Sequence, residues 1–274
     1  MEPIMKWAGG KRQLLDELTK IINIKTLDGH RLYEPFVGGG ALFLSLEHNK
    51  TSINDLNQEL INVYIQIKNN PEKLIECLQK HKECHSHSYY YKIRNYDRTS
   101  KLAKLTDVER AARTIYLNRV CYNGLYRVNS LGQFNVPMGK YSNPEIVFED
   151  KILEMSKYFN QRGFEITSVD FEIAVSSAKK GDIVYFDPPY DYDTNGFASY
   201  TKYGFTRADL IRLKKLCDAL IARGCKVVIS NNDTSFVREL FNDRKYHLDV
   251  VLAKRMINCI GEQRDNVKEV IIYG

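Results

Sequence analysis

One local pattern near the start of the chain already narrows the fold. A strand-like stretch over residues 31–36 runs into Val37-Gly38-Gly39-Gly40, then a helical stretch over 41–46, then a second strand-like stretch over 51–54. Strand, glycine turn, helix and strand in that order form the β–turn–α–β unit of a parallel sheet that binds nucleotide-like ligands. A helix precedes it, with Leu14, Leu15, Leu18, Ile21 and Ile22 at helical spacing. The alternation returns after residue 148. Strand patterns fall at 165–169, 183–186, 226–230, 247–251 and 268–273, and a helix opens at Thr206 with Asp209 in capping position. Between the two halves, residues 57–147 change character. Helical spacing dominates at 60–67, 74–78 and 108–117, and a polar stretch rich in Gly and Asn follows over 121–143. The expectation is an α/β sheet built from residues 1–56 and 148–274, interrupted by a helical insert over 57–147 with a long functional loop.

Composition adds three bounds. A chain of 274 residues with 43% hydrophobic content can bury a full core. Its apolar runs are short, and Lys6-Trp7-Ala8-Gly9-Gly10-Lys11 stands where a secretory signal would need apolar residues, so neither export nor membrane insertion is expected. The six cysteines carry no C-x-x-C pair, which fits free thiols in a reducing cytoplasm. The formal charge is +6, and residues 92–140 hold ten Lys and Arg against Asp97, Asp107 and Glu109. Such a basic block suits a surface that tracks phosphates; a solvated helical face is the plainer alternative.

The chemistry concentrates in three motifs. Asp187-Pro188-Pro189-Tyr190 follows the apolar strand 183–186, at the strand's carboxyl end, where α/β sheets bind ligands. Two prolines fix the backbone and leave carbonyls free to accept, while the Asp carboxylate supplies a second acceptor, so the pair can hold an amino group. An adenine amine is a poor nucleophile, because its lone pair is conjugated into the ring. Two acceptors on its hydrogens would favour a geometry that frees the lone pair. Tyr190 would stack on a base swung out of a duplex. The second motif, Glu34-Pro35-Phe36-Val37-Gly38-Gly39-Gly40, lets backbone approach a ligand ahead of a helix. Asn54-Asp55 ends the next strand, where an acid takes ribose hydroxyls or, alternatively, caps the helix that follows. The third surrounds Trp7, the only tryptophan, a candidate wall for an aromatic or cationic ligand.

Taken in order, Lys-Trp-Ala-Gly-Gly-Lys at residue 6, Glu-Pro-Phe-Val-Gly-Gly-Gly at 34, Asn-Asp at 54 and Asp-Pro-Pro-Tyr at 187 resemble the motifs of the Dam family of DNA adenine methyltransferases. The resemblance covers essentially the whole chain. It includes a middle segment, 117–129 and 134–140, similar to that family's target-recognition hairpin. It implies a Rossmann-like, S-adenosylmethionine-dependent methyltransferase sheet with a helical DNA-recognition insert. It further implies that Trp7, Lys11, Glu34, Pro35, Phe36, Gly38, Gly39, Asp55, Asp170, Phe171 and Asp187 line the cofactor site. Lys6 would contact a base or phosphate, Tyr122 and Asn123 would wedge near the flipped base, and Leu125, Arg127, Asn135 and Pro137 would face base edges. A guanidinium is the preferred bidentate reader of guanine, which suits Arg127. The implied substrate is adenine in double-stranded DNA, in the site GATC, modified by a cytoplasmic monomer, with a restriction endonuclease for the same site as candidate partner.

Two segments stand apart. Residues 258–265 carry Glu262 and Asp265, where the resembled family has a basic Gly/Ser-rich loop. His81, Cys84, His85 and His87 lie close together, but no second ligand pair has a matching spacing, so no metal is expected; methyl transfer needs none, because the sulfonium supplies the leaving group. Two other readings remain open from sequence: a methyltransferase acting on RNA or on a protein amide nitrogen, and a DNA-binding protein without catalysis.

Overall fold

The computed structural model describes residues 1–7, 14–23, 27–192, 204–254 and 266–274. Lys11 and residues 258–265, both singled out above, lie outside them. Helix α1 (Leu15–Ile22) leads to β1 (Leu32–Glu34), α2 (Ala41–Leu46) and β2 (Thr51–Asn54). Helices α3 (Gln58–Asn69), α4 (Pro71–Glu83), α5 (His87–Arg94), α6 (Asp107–Val120) and α7 (Glu149–Phe159) follow. The chain then returns through β3 (Glu165–Thr167), α8 (Phe171–Ala174), β4 (Ile183–Phe186), α9 (Arg207–Ala222), β5 (Lys226–Asn232), α10 (Ser235–Leu240), β6 (His247–Lys254) and β7 (Asn266–Tyr273).

These strands form one seven-stranded sheet in the order β3-β2-β1-β4-β5-β7-β6. The first five are parallel, and β7 pairs antiparallel with both β5 and β6. Parallel strands are covered on both faces, and every residue of β1, β2 and β4 is buried. Along β4, Ile183 and Tyr185 join one core while Val184 and Phe186 join the other, as the two-residue period of a strand dictates. The first core is covered by α1, α2, α3 and α7 and continues without a break into α4, α5 and α6; the second is covered by α8, α9 and α10. Burying each Leu, Ile or Phe in these layers contributes about 1.5–3 kcal/mol.

The predicted α/β class is therefore present, with particular elements matching: α2 and β2 have the expected bounds, and Thr206 and Asp209 form a reciprocal capping box on α9. The strand predicted over 226–230 runs on through Asn231 and Asn232, because β7 supplies partners there, Val270 and Glu269. The order of β3-β2-β1-β4-β5 places the reversal of winding between β1 and β4. A crevice opens outside the carboxyl ends of the strands at such a reversal.

Candidate active site

The two strands that flank this reversal end in the two strongest sequence motifs. Glu34 closes β1, Asp187 follows Phe186 at the end of β4, and the strands are paired in register as Leu32 with Ile183 and Tyr33 with Val184. Glu34 is almost wholly buried, and its Oε1 has no hydrogen-bond partner among the described residues. Burial drives its carboxyl well above the usual range, and the charge of neighbouring Asp187 adds to the effect. The site thus brings together a buried Glu34 carboxyl, whose pKa burial raises, and a half-buried Asp187.

The glycine turn is shaped from two sides. Gly38 donates to Asp55 Oδ2 at 3.1 Å, and its carbonyl accepts from the Tyr64 hydroxyl at 2.8 Å. Gly38 has φ +48°, and a Cβ there would lie 2.9 Å from the Trp7 ring; at Gly39 it would lie 3.0 Å from Trp7 Cβ. Trp7 therefore lies against the turn, and its indole stacks on Tyr126 with centroids 5.0 Å apart. Asp55 also accepts from the backbone of Asn57 at 2.9 Å. It does not cap the next helix: Asn57 does, accepting from Leu60. Burial raises the Asp55 pKa to about 6, against the lowering effect of those two N–H donors.

Beyond β3, Asp170 caps α8 and pairs with Arg212, whose guanidinium lies 4.3 Å from the centroid of the Phe171 ring. Phe171 is buried beside Phe36 and Phe205. Pro35 is buried and its carbonyl accepts from Asn54 Nδ2, which also reaches the carbonyl of Val169, so Asn54 ties the ends of β1, β2 and β3 together. All the described residues expected around the cofactor thus stand at the carboxyl ends of β1, β2 and β4 or beside β3, with Trp7 arriving from the N-terminus.

The recognition candidates form a second cluster. Cys121 bridges to Met138 and Val128 to Phe134, so the polar stretch is a hairpin. Tyr122 and Asn123 are exposed at its base, where Asn123 takes the left-handed φ of +54°. Tyr122 donates its backbone N–H to the carbonyl of exposed Pro137. Arg127 is exposed and its Nε donates to Asn135 Oδ1 at 2.7 Å, while Leu125 is half-buried against the core. Lys6 is fastened to the hairpin's root: Asn118 bonds both its backbone N and O and also the carbonyl of Gly124, and its ammonium lies 4.5 Å from the centroid of the Tyr141 ring.

Five arginines of the basic block are engaged within the protein. Arg113 donates to the carbonyls of Ile93 and Arg94 and pairs with Asp97, Arg94 donates to Val136 O, and Arg98 donates to Phe134 O. Arg110 pairs with Glu59, and Arg119 with Glu145. These arginines join helices to one another and to the hairpin, an arrangement that charge counting does not reveal. The histidines flagged as a metal candidate contact tyrosines: His81 and His85 bond the hydroxyls of Tyr89 and Tyr116 at 2.9 Å, and burial lowers His81 to a pKa of about 4.

Sequence reading missed what supports the loop after β4. Asn231 and Asn232 at the end of β5, Thr234 just beyond it and Arg207 all contact Asp191 in the segment that follows Asp187, and Tyr190 donates to Glu269 Oε2 on β7 at 3.0 Å. Their signal was the run Ser230-Asn231-Asn232 closing an apolar strand, the same address as Asp187 one strand away.

With this geometry in view, the comparisons with known proteins decide the family. Residues 7–257 match the D12 class of N6 adenine-specific DNA methyltransferases. The chain belongs to that family. It is 44% identical to the Type II methyltransferase M1.LlaDCHI of Lactococcus lactis subsp. cremoris, over all of this chain and 96% of the relative. It is 39% identical to the Type II methyltransferase M.MjaIII of Methanocaldococcus jannaschii, over 99% of this chain and 98% of that one. It is 32% identical to the DNA adenine methylase of Escherichia coli K12, over 97% and 93%. This D12-class enzyme is thus an adenine-specific DNA methyltransferase, and its methyl donor is S-adenosylmethionine. No helix among the described residues is long and apolar enough to cross a membrane.

Proposed function

We propose that this D12-class methyltransferase modifies the exocyclic amine of adenine in GATC duplexes, reaching it by flipping the base. The meeting of Asp187-Pro188-Pro189-Tyr190 with the Glu34–Gly40 turn at the reversal of the sheet carries this reading. The residues present fit the cofactor. Asp55 offers a carboxylate at the end of β2 for ribose hydroxyls, Gly38 and Gly39 keep the turn open to close approach, and Trp7 walls it. Glu34 holds a buried acceptor oxygen with no partner among the described residues. Phe36 and Phe171, with Asp170, offer an aromatic edge for an adenine ring. When bound, S-adenosylmethionine supplies an electrophilic methyl group and a thioether leaving group.

The protein's own residues then do the positioning. Asp187 and the Pro188 carbonyl accept the amine hydrogens, which draws the nitrogen lone pair out of conjugation, and Tyr190 stacks on the extruded base. Nothing in this requires a metal. On the hairpin, Arg127, set by Asn135, reads a guanine edge, while Leu125 and Pro137 face the thymine methyl. Tyr122 and Asn123 fill the space beside the flipped base, and Lys6 contacts the DNA near it. Residues 57–147 act as the recognition region, with residues 1–56 and 148–274 as the catalytic one. One chain carries both sets, which suits a monomer, and the Type II relatives suit a partner endonuclease cutting the same site.

Unmethylated plasmid incubated with the enzyme and S-adenosylmethionine should become resistant to a GATC-cutting nuclease that adenine methylation blocks. Full cutting, with labelled methyl nonetheless present in the DNA, would move the site elsewhere; full cutting without label would remove duplex DNA as the substrate.

A further inference from the structure

Asp191, directly after the Asp-Pro-Pro-Tyr motif, uses every one of its polar groups. Its N–H donates to Asn231 Oδ1 at 2.9 Å, and its carbonyl accepts from Asn232 Nδ2 at 2.6 Å. Its carboxylate takes Arg207 bidentately, Oδ1 from Nε at 2.8 Å and Oδ2 from Nη2 at 3.0 Å, and Oδ2 also accepts from the Thr234 hydroxyl at 2.8 Å. The Asp191 side chain is 4% exposed and that of Arg207 49%, so a buried carboxylate meets a guanidinium that reaches it from the surface. Arg207 is itself held over the Phe236 ring at 4.6 Å. Asn231 Oδ1 also accepts from the backbone of Asn232, which locks the amide that holds Asp191.

We infer that Asp191, clamped by Arg207, Thr234 and the Asn231–Asn232 pair, is a positioning residue that fixes where the Pro188 carbonyl and the Tyr190 ring stand. The inference rests on the reading of Asp-Pro-Pro-Tyr as the loop that holds the amine. A peptide tied at its N–H, its carbonyl and its side chain cannot rotate, and the residues just before it inherit that rigidity. The β5 terminus and the first turn of α9 thereby act on methyl transfer without touching substrate. Displacement of a reacting group by about 1 Å costs up to a hundredfold in rate, so the clamp registers in turnover more than in binding.

The test uses the full chain, a GATC duplex and labelled S-adenosylmethionine, at a temperature where circular dichroism shows each variant fully folded. Cofactor binding is read separately from fluorescence of Trp7, the sole tryptophan. Arg207→Ala should lower the single-turnover rate roughly ten- to a hundredfold while cofactor affinity stays within about twofold. Arg207→Lys should recover part of the loss, since it restores the charge without the fork. Asp191→Asn should fall below Arg207→Ala. Arg207→Ala at the parental rate, or a rate loss matched by equal loss of cofactor-binding amplitude, overturns the clamp. Asp187→Asn is the control that separates the two ideas: if it too keeps the parental rate, the reading of the loop fails first.

Discussion

The loop after β4 and the hairpin over residues 121–138 are both irregular, yet they are held in opposite ways. The loop is tied down by buried amides and a hydroxyl: Asn231 and Asn232, which close a neighbouring strand, and Thr234, which caps α10 just after it. The hairpin is tied to α5 and the turn after it by guanidiniums and a tyrosine that reach backbone carbonyls: Arg94 and Tyr90 on Val136, and Arg98 on Phe134. Asp97 is the hinge of that second arrangement, accepting from Arg98, Arg113 and the backbone N–H of Phe134 at 2.5, 3.0 and 2.8 Å. Strand-end amides give one fixed geometry, as the proposed holding of a reacting nitrogen would need. Long cationic side chains hold a surface element while leaving its exposed face, with Arg127 and Pro137, open for contact with a partner.

This contrast can be broken at either region. The largest effect belongs to the loop: Asp187→Ala should cut kcat by on the order of 10²–10³-fold or more, measured by methyl incorporation, and a loss of only a few-fold would remove Asp187 from its role. Next comes the hairpin's anchor. Asp97→Ala leaves Arg113 buried without its carboxylate and should cost about 3–5 kcal/mol in denaturant unfolding. A change under about 1 kcal/mol would show that the carbonyl bonds suffice alone. Arg127→Ala should act on recognition only, with a penalty of about 1–3 kcal/mol for the correct site and relaxed preference at one base. Equal weakening on all sequences would make Arg127 a phosphate contact instead.

The smallest effect is one of pH, and it sharpens the cofactor side. The Asp55 carboxyl is raised from 3.8 to about 6 in the folded protein, so folding favours its protonated form. Its ionisation is therefore a cost to stability that is absent below the unfolded value and complete above the folded one. Hydroxyl donors from a ribose would favour the ionised form, so cofactor affinity should strengthen as pH rises through 6. It should weaken about twofold at that midpoint and about tenfold one unit below. Asp55→Asn should flatten the profile; a parental profile in that variant would exclude Asp55 as the titrating group.

Much of this was legible in the sequence alone. The strand that ends at Phe186 is an uninterrupted apolar run, and the prolines after it can only lie outside the strand, so the place of Asp187 at the strand's carboxyl end follows from local chemistry. The glycine turn after β1 is equally local, because Gly38 and Gly40 need positive φ, and Gly40 also has no room for a Cβ beside Phe43. The basic block was legible as charge but not as function. Whether an arginine meets a phosphate or a carbonyl depends on which helix faces it, and Arg113 finds its partners, Ile93, Arg94 and Asp97, across a helix junction.

What the sequence by itself determined was the alternation of strands and helices, the two motifs at strand ends and the kinship they signal, because each rests on side-chain period, proline and glycine within a few residues. What only the tertiary structure decided was adjacency. The order that sets β4 beside β1, and β7 between β5 and β6, brings Glu34 to Asp187, Asn231 to Asp191 and Glu269 to Tyr190. Those pairs are up to 153 residues apart, and strand order follows from which faces the helices can cover together, a property of the whole chain that no window of sequence contains.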